Sequence, residues 1–492
     1  MIAIGNPYGK TVQKENLRQA FGVEEGKPGR IRHIDRRCPQ GGQKHRCQNV
    51  RNEYRSYLTI DFSDLKKDTF ELFENGIGGD FDTFFMKLQV SEGVTLHRRE
   101  SLIIFDEVRL YPKARQMIKH LVADRRFDYI ETGSLISIMT SAENILIPSE
   151  EIRIRMHPMD FEEFLWAMGD AVTAPFIKDR FENSTPLGNP MHRSVMSKYR
   201  EYMIVGGMPQ AVSAYLDGKD LGRTDRVKRG ILDLYRSDFS KISSRTGAKA
   251  EDIFRKIPSM LSRANRVFSP GSIKKGSRTR EYVDSVARLE GSMAVNVCRL
   301  CTDPDVAMNL YLNDGVFKCY MADTGLLITQ SFLANVATPD EVYRSLLFDR
   351  LSVNKGMFFE NMVAQELTYN GHGLAFSAFK NGSGKKYEVD FLIVEGKKIL
   401  PIEVKSSVSR KHASLDAFIE KYRRRRQGNL PAGPGRRQPL FPIVRFRGVP
   451  RGARRNRPRA QPCRHQPRHP LPFGGHRADA AFRPLGHRRS GR

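Results

Sequence analysis

From Glu53 to Tyr422 the chain alternates short apolar runs with polar stretches, and the periods of those runs predict an α/β body. Tyr57–Phe62 is a β-rich run that ends in polar residues, and Phe81–Leu88 has helical spacing. Ser101-Leu102-Ile103-Ile104-Phe105-Asp106-Glu107 sets four apolar residues before two acids. That is the pattern of a buried parallel strand whose C-terminal end carries carboxylates into a crevice. Lys113–Leu121 reads as a crossover helix and Phe127–Ser134 as a second strand ending in hydroxyls. Over Lys198–Ala214 the pattern is helix, a Gly206-Gly207-Met208-Pro209 stop, then helix. Val227–Phe239, Asp252–Ala264 and Arg280–Leu289 carry helical apolar spacing, whereas Val295–Leu300 and Val316–Met321 alternate like strands. Phe358–Leu367 starts an amphipathic helix, and Tyr387–Ile393 and Leu400–Lys405 are the last two predicted strands.

Both ends break this pattern. The stretch from Arg423 to Arg492 holds 20 Arg, no Lys, 11 Pro and a single acid, Asp479. It therefore supplies +19 of the formal net charge of +27, and the remainder of the chain is near +8. Charge alone does not make the whole chain a nucleic-acid binder. Lys-free sequence rich in Arg, Pro, Gly and His is what GC-rich coding DNA yields when read out of frame. For Gly26–Arg51, synonymous codons exist whose +1 frame spells an apolar strand, then GGARRVGKST, then a helix start running into Asn52. That hidden peptide is a phosphate-binding loop. The same shift over Pro439–Arg451 permits an apolar segment. The alternative is that both ends are real basic extensions without a folded core. As translated, Gly5-Asn6-Pro7-Tyr8-Gly9-Lys10-Thr11 is one residue short of a phosphate-binding loop between its glycines, and only four residues precede it.

Of six Cys, three (Cys298, Cys301, Cys319) lie in the body, too few and too odd a number for a disulfide framework. Cys298 and Cys301 lack a matching second pair, and strand alternation places them on opposite faces, which argues against zinc. No apolar run reaches membrane-spanning length, and no signal-peptide pattern opens the chain. The expected location is the cytoplasm.

The acids after the apolar run suggest nucleotide chemistry. Asp106 would hold the water shell of Mg²⁺ and Glu107 would polarise an attacking water, the Walker B arrangement. A buried strand that ends in a solvated acidic turn is the plainer reading of the same residues. Thr132 or Ser134 would sense a γ-phosphate by hydrogen bonding, and Ser134 would serve equally as the cap of the next helix. Three short helices followed by two strands suggest a winged-helix module. Its Lys274, Lys275, Arg278 and Arg280 form either a DNA-contacting surface or a solvated basic turn.

Phe105-Asp106-Glu107-Val108, Glu131-Thr132-Gly133-Ser134 and Met156-His157-Pro158-Met159-Asp160-Phe161-Glu162-Glu163-Phe164 resemble one bacterial and archaeal family. It is the AAA-type ATPases with a C-terminal restriction-endonuclease-like domain of unknown function, and the resemblance runs from about Glu53 to Tyr422. It implies ATP and Mg²⁺ as cofactors, with DNA and an unknown protein as candidate partners, no membrane, and homo-oligomer formation as an open option. It also implies an arginine near the nucleotide, Arg153 or Arg155, although a charge-complementing Arg on a strand edge fits those positions as well. The expected order is an aberrant segment over 1–52, an ATPase core with a parallel P-loop-type sheet over 53–170, and a helical lid and winged-helix-like region over 171–325. A restriction-endonuclease-like α/β domain over 326–422 and an Arg/Pro-rich tail over 423–492 follow. In the C-terminal domain Asp390 and Glu403 would bind Mg²⁺, Glu360 would complete the acidic cluster, and Lys405 would orient or deprotonate the attacking water. The chain departs from the family in one respect. The phosphate-binding loop is missing from the translated residues, so ATP binding is expected to be impaired. The competing expectation is a non-catalytic DNA-binding or protein-interaction module with relic acidic sites.

Overall fold

The structure is a computed structural model. It describes residues 2–5, 54–76, 80–132, 151–183, 185–240, 244–334, 340–347, 355–396, 398–405, 412–427 and 444–447.

The first sheet contains β1 (Ile2–Gly5), β2 (Ser56–Asp61), β3 (Ser101–Asp106), β4 (Asp128–Thr132) and β5 (Glu151–Ile154), in the order β2-β3-β4-β1-β5. Strands β2, β3 and β4 are parallel. Every residue of β3 is buried, which is why its sequence is a continuous apolar run rather than an alternation. Helices α1 (Lys67–Asn75), α2 (Phe81–Glu92) and α3 (Pro112–Asp124) join these strands. Asp80 starts α2 by accepting from the backbone N–H groups of Asp82 and Thr83, and Gly93 ends it in the left-handed conformation. Phe73, Phe84 and Phe85 from the helices pack with Leu58, Ile60, Ile103 and Phe105 from the sheet. Each such side chain contributes on the order of 1.5–3 kcal/mol by leaving water.

Seven helices follow: α4 (Phe161–Ala167), α5 (Thr173–Glu182), α6 (Asn189–Val205), α7 (Pro209–Leu216), α8 (Leu221–Ser240), α9 (Ser244–Leu261) and α10 (Val283–Gly291). The predicted Gly stop divides α6 from α7. The chain then builds a second sheet from β6 (Val295–Cys301), β7 (Leu312–Met321), β8 (Ala375–Lys380), β9 (Lys386–Glu395), β10 (Lys398–Lys405) and β11 (Val444–Arg447). Its order is β11-β10-β9-β8-β6-β7. Helices α11 (Thr324–Ser331), α12 (Asp340–Leu347), α13 (Lys355–Tyr369) and α14 (Ala413–Gln427) accompany it.

Strands β6 and β7 form the expected antiparallel pair, but they do not stand apart as a wing. Strand β6 also pairs in parallel with β8, Arg299 opposite Ala375 and Leu300 opposite Phe376, so the hairpin is one edge of the six-stranded sheet. Cys298 and Cys301 are buried in two separate apolar clusters, as strand alternation requires.

A clasp joins the segment after the first sheet to the second. The Gly207 N–H donates to the Asp323 carboxylate at 2.6 Å, and its carbonyl accepts from the Met159 N–H at 2.7 Å. A Cβ on Gly207 would collide with the Met159 backbone, and one on Gly206 (φ +84°) with Asp323, so both positions require glycine. The Tyr202 hydroxyl donates to the Met159 carbonyl at 2.6 Å and accepts from Gln365 of α13 at 2.6 Å.

Candidate functional site

Asp106 is buried at the C-terminal end of β3. The register sets Phe105 against Glu131, which brings Thr132 beside Asp106, and the Thr132 hydroxyl donates to the Asp106 carboxylate. On the other flank Asp61 ends β2 in register with Asp106, and it accepts from the Ser63 N–H at 2.9 Å. Glu107 adopts φ 54° and ψ 32°, a left-handed conformation that costs a non-glycine residue roughly 1 kcal/mol or more. Arg99, Arg125, Lys219 and Met293 share this left-handed backbone, Arg125 as a helix C-cap. Glu131 turns to Arg115, with 3.0 Å between buried carboxylate and guanidinium. Arg155 is exposed just past β5. Arg153 lies within β5, opposite Ala3, and its side chain lies outside the described residues, as does Ser134.

The strand beside β4 bears on where a phosphate-binding loop could sit. Strand β1 runs antiparallel to both its neighbours, with Ile2 against Thr132 and Gly5 against Tyr129. Its end therefore points to the edge where the parallel strands begin. A phosphate-binding loop must follow a strand that ends beside Asp106, because phosphates sit at the C-terminal ends of parallel strands. Gly5, which opens the near-match Gly5–Thr11, leaves from the opposite edge. Asp106 fits the water shell of a hydrated Mg²⁺, an acid at the C-terminal end of a parallel strand, while the Thr132 hydroxyl proton is engaged by Asp106 itself. Among the described residues no loop of backbone N–H groups accompanies them.

The second group of acids lies on the other sheet. Glu360 of α13 is 2% exposed. One of its oxygens accepts from the Tyr320 hydroxyl at 2.5 Å and from Lys318 Nζ at 3.3 Å. The other is bound by Arg266. Lys318, 0% exposed, also reaches Glu388 at 2.6 Å. Asn361, the next residue of α13, accepts from the Met321 N–H at 2.8 Å and donates to its carbonyl at 3.0 Å, fixing the helix to β7. Asp390 sits where β9 bulges against β8: Val389 opposes Ser377, yet Leu392 opposes Ala375. Its carboxylate accepts from the Val404 N–H at 2.7 Å. Burial first, and the Glu360 charge second, push the Asp390 carboxyl up to about 7. Glu403 is buried and bonded to Lys405, Nζ to Oε1 2.5 Å.

The structure thus brings Glu360 and Asp390 into electrostatic contact and joins Glu403 to Lys405, the same-face pairing expected of an E-x-K strand. Among the described residues no group of three or more His, Cys, Asp or Glu is arranged to hold a metal ion. Sequence reasoning passed over Lys318, Tyr320 and Arg266. The signal was present in Phe317-Lys318-Cys319-Tyr320-Met321, where a lysine in a buried alternating strand must find a carboxylate.

Residues 44–165 match the profile of the AAA domain. Over that stretch the chain is similar to the AAA domain. The matched stretch spans Asp106, Glu107, Thr132, Ser134, Arg153 and Arg155. Residues 196–337 match a domain of unknown function (DUF8612), and residues 355–434 match another (DUF4143). Among solved structures the chain is similar to the Walker-type ATPase PABY2304 of Pyrococcus abyssi, at 14% identity and a TM-score of 0.34. That similarity covers 60% of this chain and 89% of the archaeal one. No curated protein matches the chain. Outside the AAA domain, as within it, no described helix is long and apolar enough to cross a membrane.

Proposed function

We propose that this chain is an AAA-type protein in which ATP and Mg²⁺ act at Asp106, Glu107 and Thr132, and that nucleotide turnover works on its C-terminal half. The observation that carries this reading is the buried Asp106 at the end of a central parallel strand, with the Thr132 hydroxyl on its carboxylate. Ser134 and one of Arg153 and Arg155 complete the nucleotide's surroundings in this reading, the arginine from the same chain or from a second copy. In the translated form ATP affinity is impaired, because the strand beside β4 runs away from Asp106. The antiparallel β1 is compatible with a displaced reading frame over residues 26–51, whose hidden loop would need a strand running in the opposite direction. Titration of a fluorescent ATP analogue with Mg²⁺ tests the reading. The translated chain should show no saturation below about 1 mM, and the chain carrying the alternative-frame loop should bind in an Asp106-dependent way.

The clasp of Gly207, Asp323, Met159, Tyr202 and Gln365 supports coupling between the halves, since it links the end of the AAA domain to α13. A second reading is favoured by the C-terminal acids. Glu360, Glu388 and Glu403 each already meet a lysine or arginine of the protein, as in a module that binds without cleaving. DNA is the candidate partner, through the exposed Lys274, Lys275, Arg278 and Arg280. Salt-dependent DNA binding that survives Asp390→Ala, with no cleavage in Mg²⁺, supports the module. Cleavage lost on Asp390→Ala supports the nuclease.

A further inference from the structure

The resemblance to restriction-endonuclease-like domains asks Glu360, Asp390 and Glu403 to converge on one hydrated divalent cation. Glu360 does not fit that ion. A ligand carboxylate must turn oxygen lone pairs toward the metal, and Mg²⁺ requires near-octahedral oxygens around it. Glu360 turns one oxygen to Lys318 and Tyr320 and the other to Arg266. Lys318 lies between Glu360 and Glu388, and its ammonium stands 4.9 Å from the centre of the Phe376 ring. Glu403 gives one oxygen to Lys405, while its other oxygen is buried without a hydrogen-bond partner among the described residues, so the mismatch lies at Glu360. A divalent ion at Glu360 would have to displace a buried ammonium or sit against it, and like charges at that range repel strongly in a low-dielectric interior.

We propose that Lys318 is a resident cation occupying the place of Mg²⁺ in the C-terminal cluster, and that Glu360 is a structural partner of Lys318 and Arg266 rather than a metal ligand. The side chains explain the arrangement. Strand alternation puts Lys318 and Tyr320 on one face of β7, and Asn361 pins α13 to Met321, so Glu360 is delivered onto both. Arg266 arrives from the end of α9 and closes the far oxygen. The cluster is then an internal ionic lock between β7, α13 and β9. A buried acid left without its cation is strongly destabilising, whereas removing acid and cation together is nearly neutral.

Two measurements on the full chain test this, both in an Asp106→Asn background that removes the other candidate ion site. The first is Mn²⁺ binding by electron paramagnetic resonance. Glu360→Gln and Asp390→Asn should leave the bound fraction unchanged. A bound ion that either substitution abolishes overturns the proposal. The second is a double-substitution cycle read by thermal unfolding. Lys318→Met should lower the midpoint, and adding Glu360→Gln to it should restore part of the loss. If Lys318→Met does not fold alone, the double variant should still fold better. A double variant no more stable than Lys318→Met overturns the proposal by itself.

Discussion

Asp106 and Glu360 are both buried carboxylates at the rim of a sheet, and the protein surrounds them differently. The hydroxyl of Thr132 donates to Asp106, whereas two cations and a phenol bracket Glu360. Asp106 also ends a strand beside a strained Glu107, while Glu360 belongs to a helix pinned by its neighbour Asn361. The contrast teaches that the element delivering an acid, a strand end for Asp106 and a helix face for Glu360, sets the groups it can meet. Acid motifs alone make the two sites look alike.

The largest expected effect is at the ionic lock. Lys318→Met should cost about 3–5 kcal/mol, the usual penalty for stripping one partner from a buried pair. Thr132→Val should cost about 1–2 kcal/mol, the range for removing a hydroxyl donor from a buried group. Urea unfolding of both variants gives the comparison, and equal losses would erase it. Next comes the clasp. Gly207→Ala forces a methyl into the Met159 backbone and should cost about 1–3 kcal/mol by overpacking. That loss should appear in the same unfolding curves.

A smaller effect concerns pH. The folded Asp390 carboxyl is raised to about 7, above its unfolded value, so the folded chain holds the extra proton between those values. Its contribution is fully present below about pH 4 and is lost as pH rises through 7. Wild type should therefore lose stability relative to Asp390→Asn as pH rises across that window. Denaturant midpoints at several pH values check the sign. The smallest expected effect is Lys405→Met, because its pair with Glu403 is partly solvent-exposed, and its stability change should stay near or below about 1 kcal/mol.

Much of this architecture is legible along the chain. The continuous apolar run of β3, the helical spacing of α3 and α8, the Gly206-Gly207 stop and the strands carrying Asp390 and Glu403 are local patterns, and each appears where its period puts it. What was not legible is tertiary. Lys318 and Glu360 stand 42 positions apart, and nothing local says that one neutralises the other. The bulge at Asp390 depends on how β8 and β9 pair, and the union of β6 with β8 on a long-range parallel match. The polarity of β1 is likewise invisible in four apolar-leaning residues, since either direction satisfies their hydrogen bonds.

The nucleotide site proposed at Asp106 has no phosphate-binding loop among the described residues. Replacing residues 26–51 with their +1-frame peptide and titrating a fluorescent ATP analogue in Mg²⁺ tests this directly. We expect dissociation constants above about 1 mM for the translated chain and in the low micromolar range, about 8 kcal/mol of binding, for the replaced one, with Asp106→Asn removing the gain. Low-micromolar binding by the translated chain, or none by the replaced chain, would contradict it.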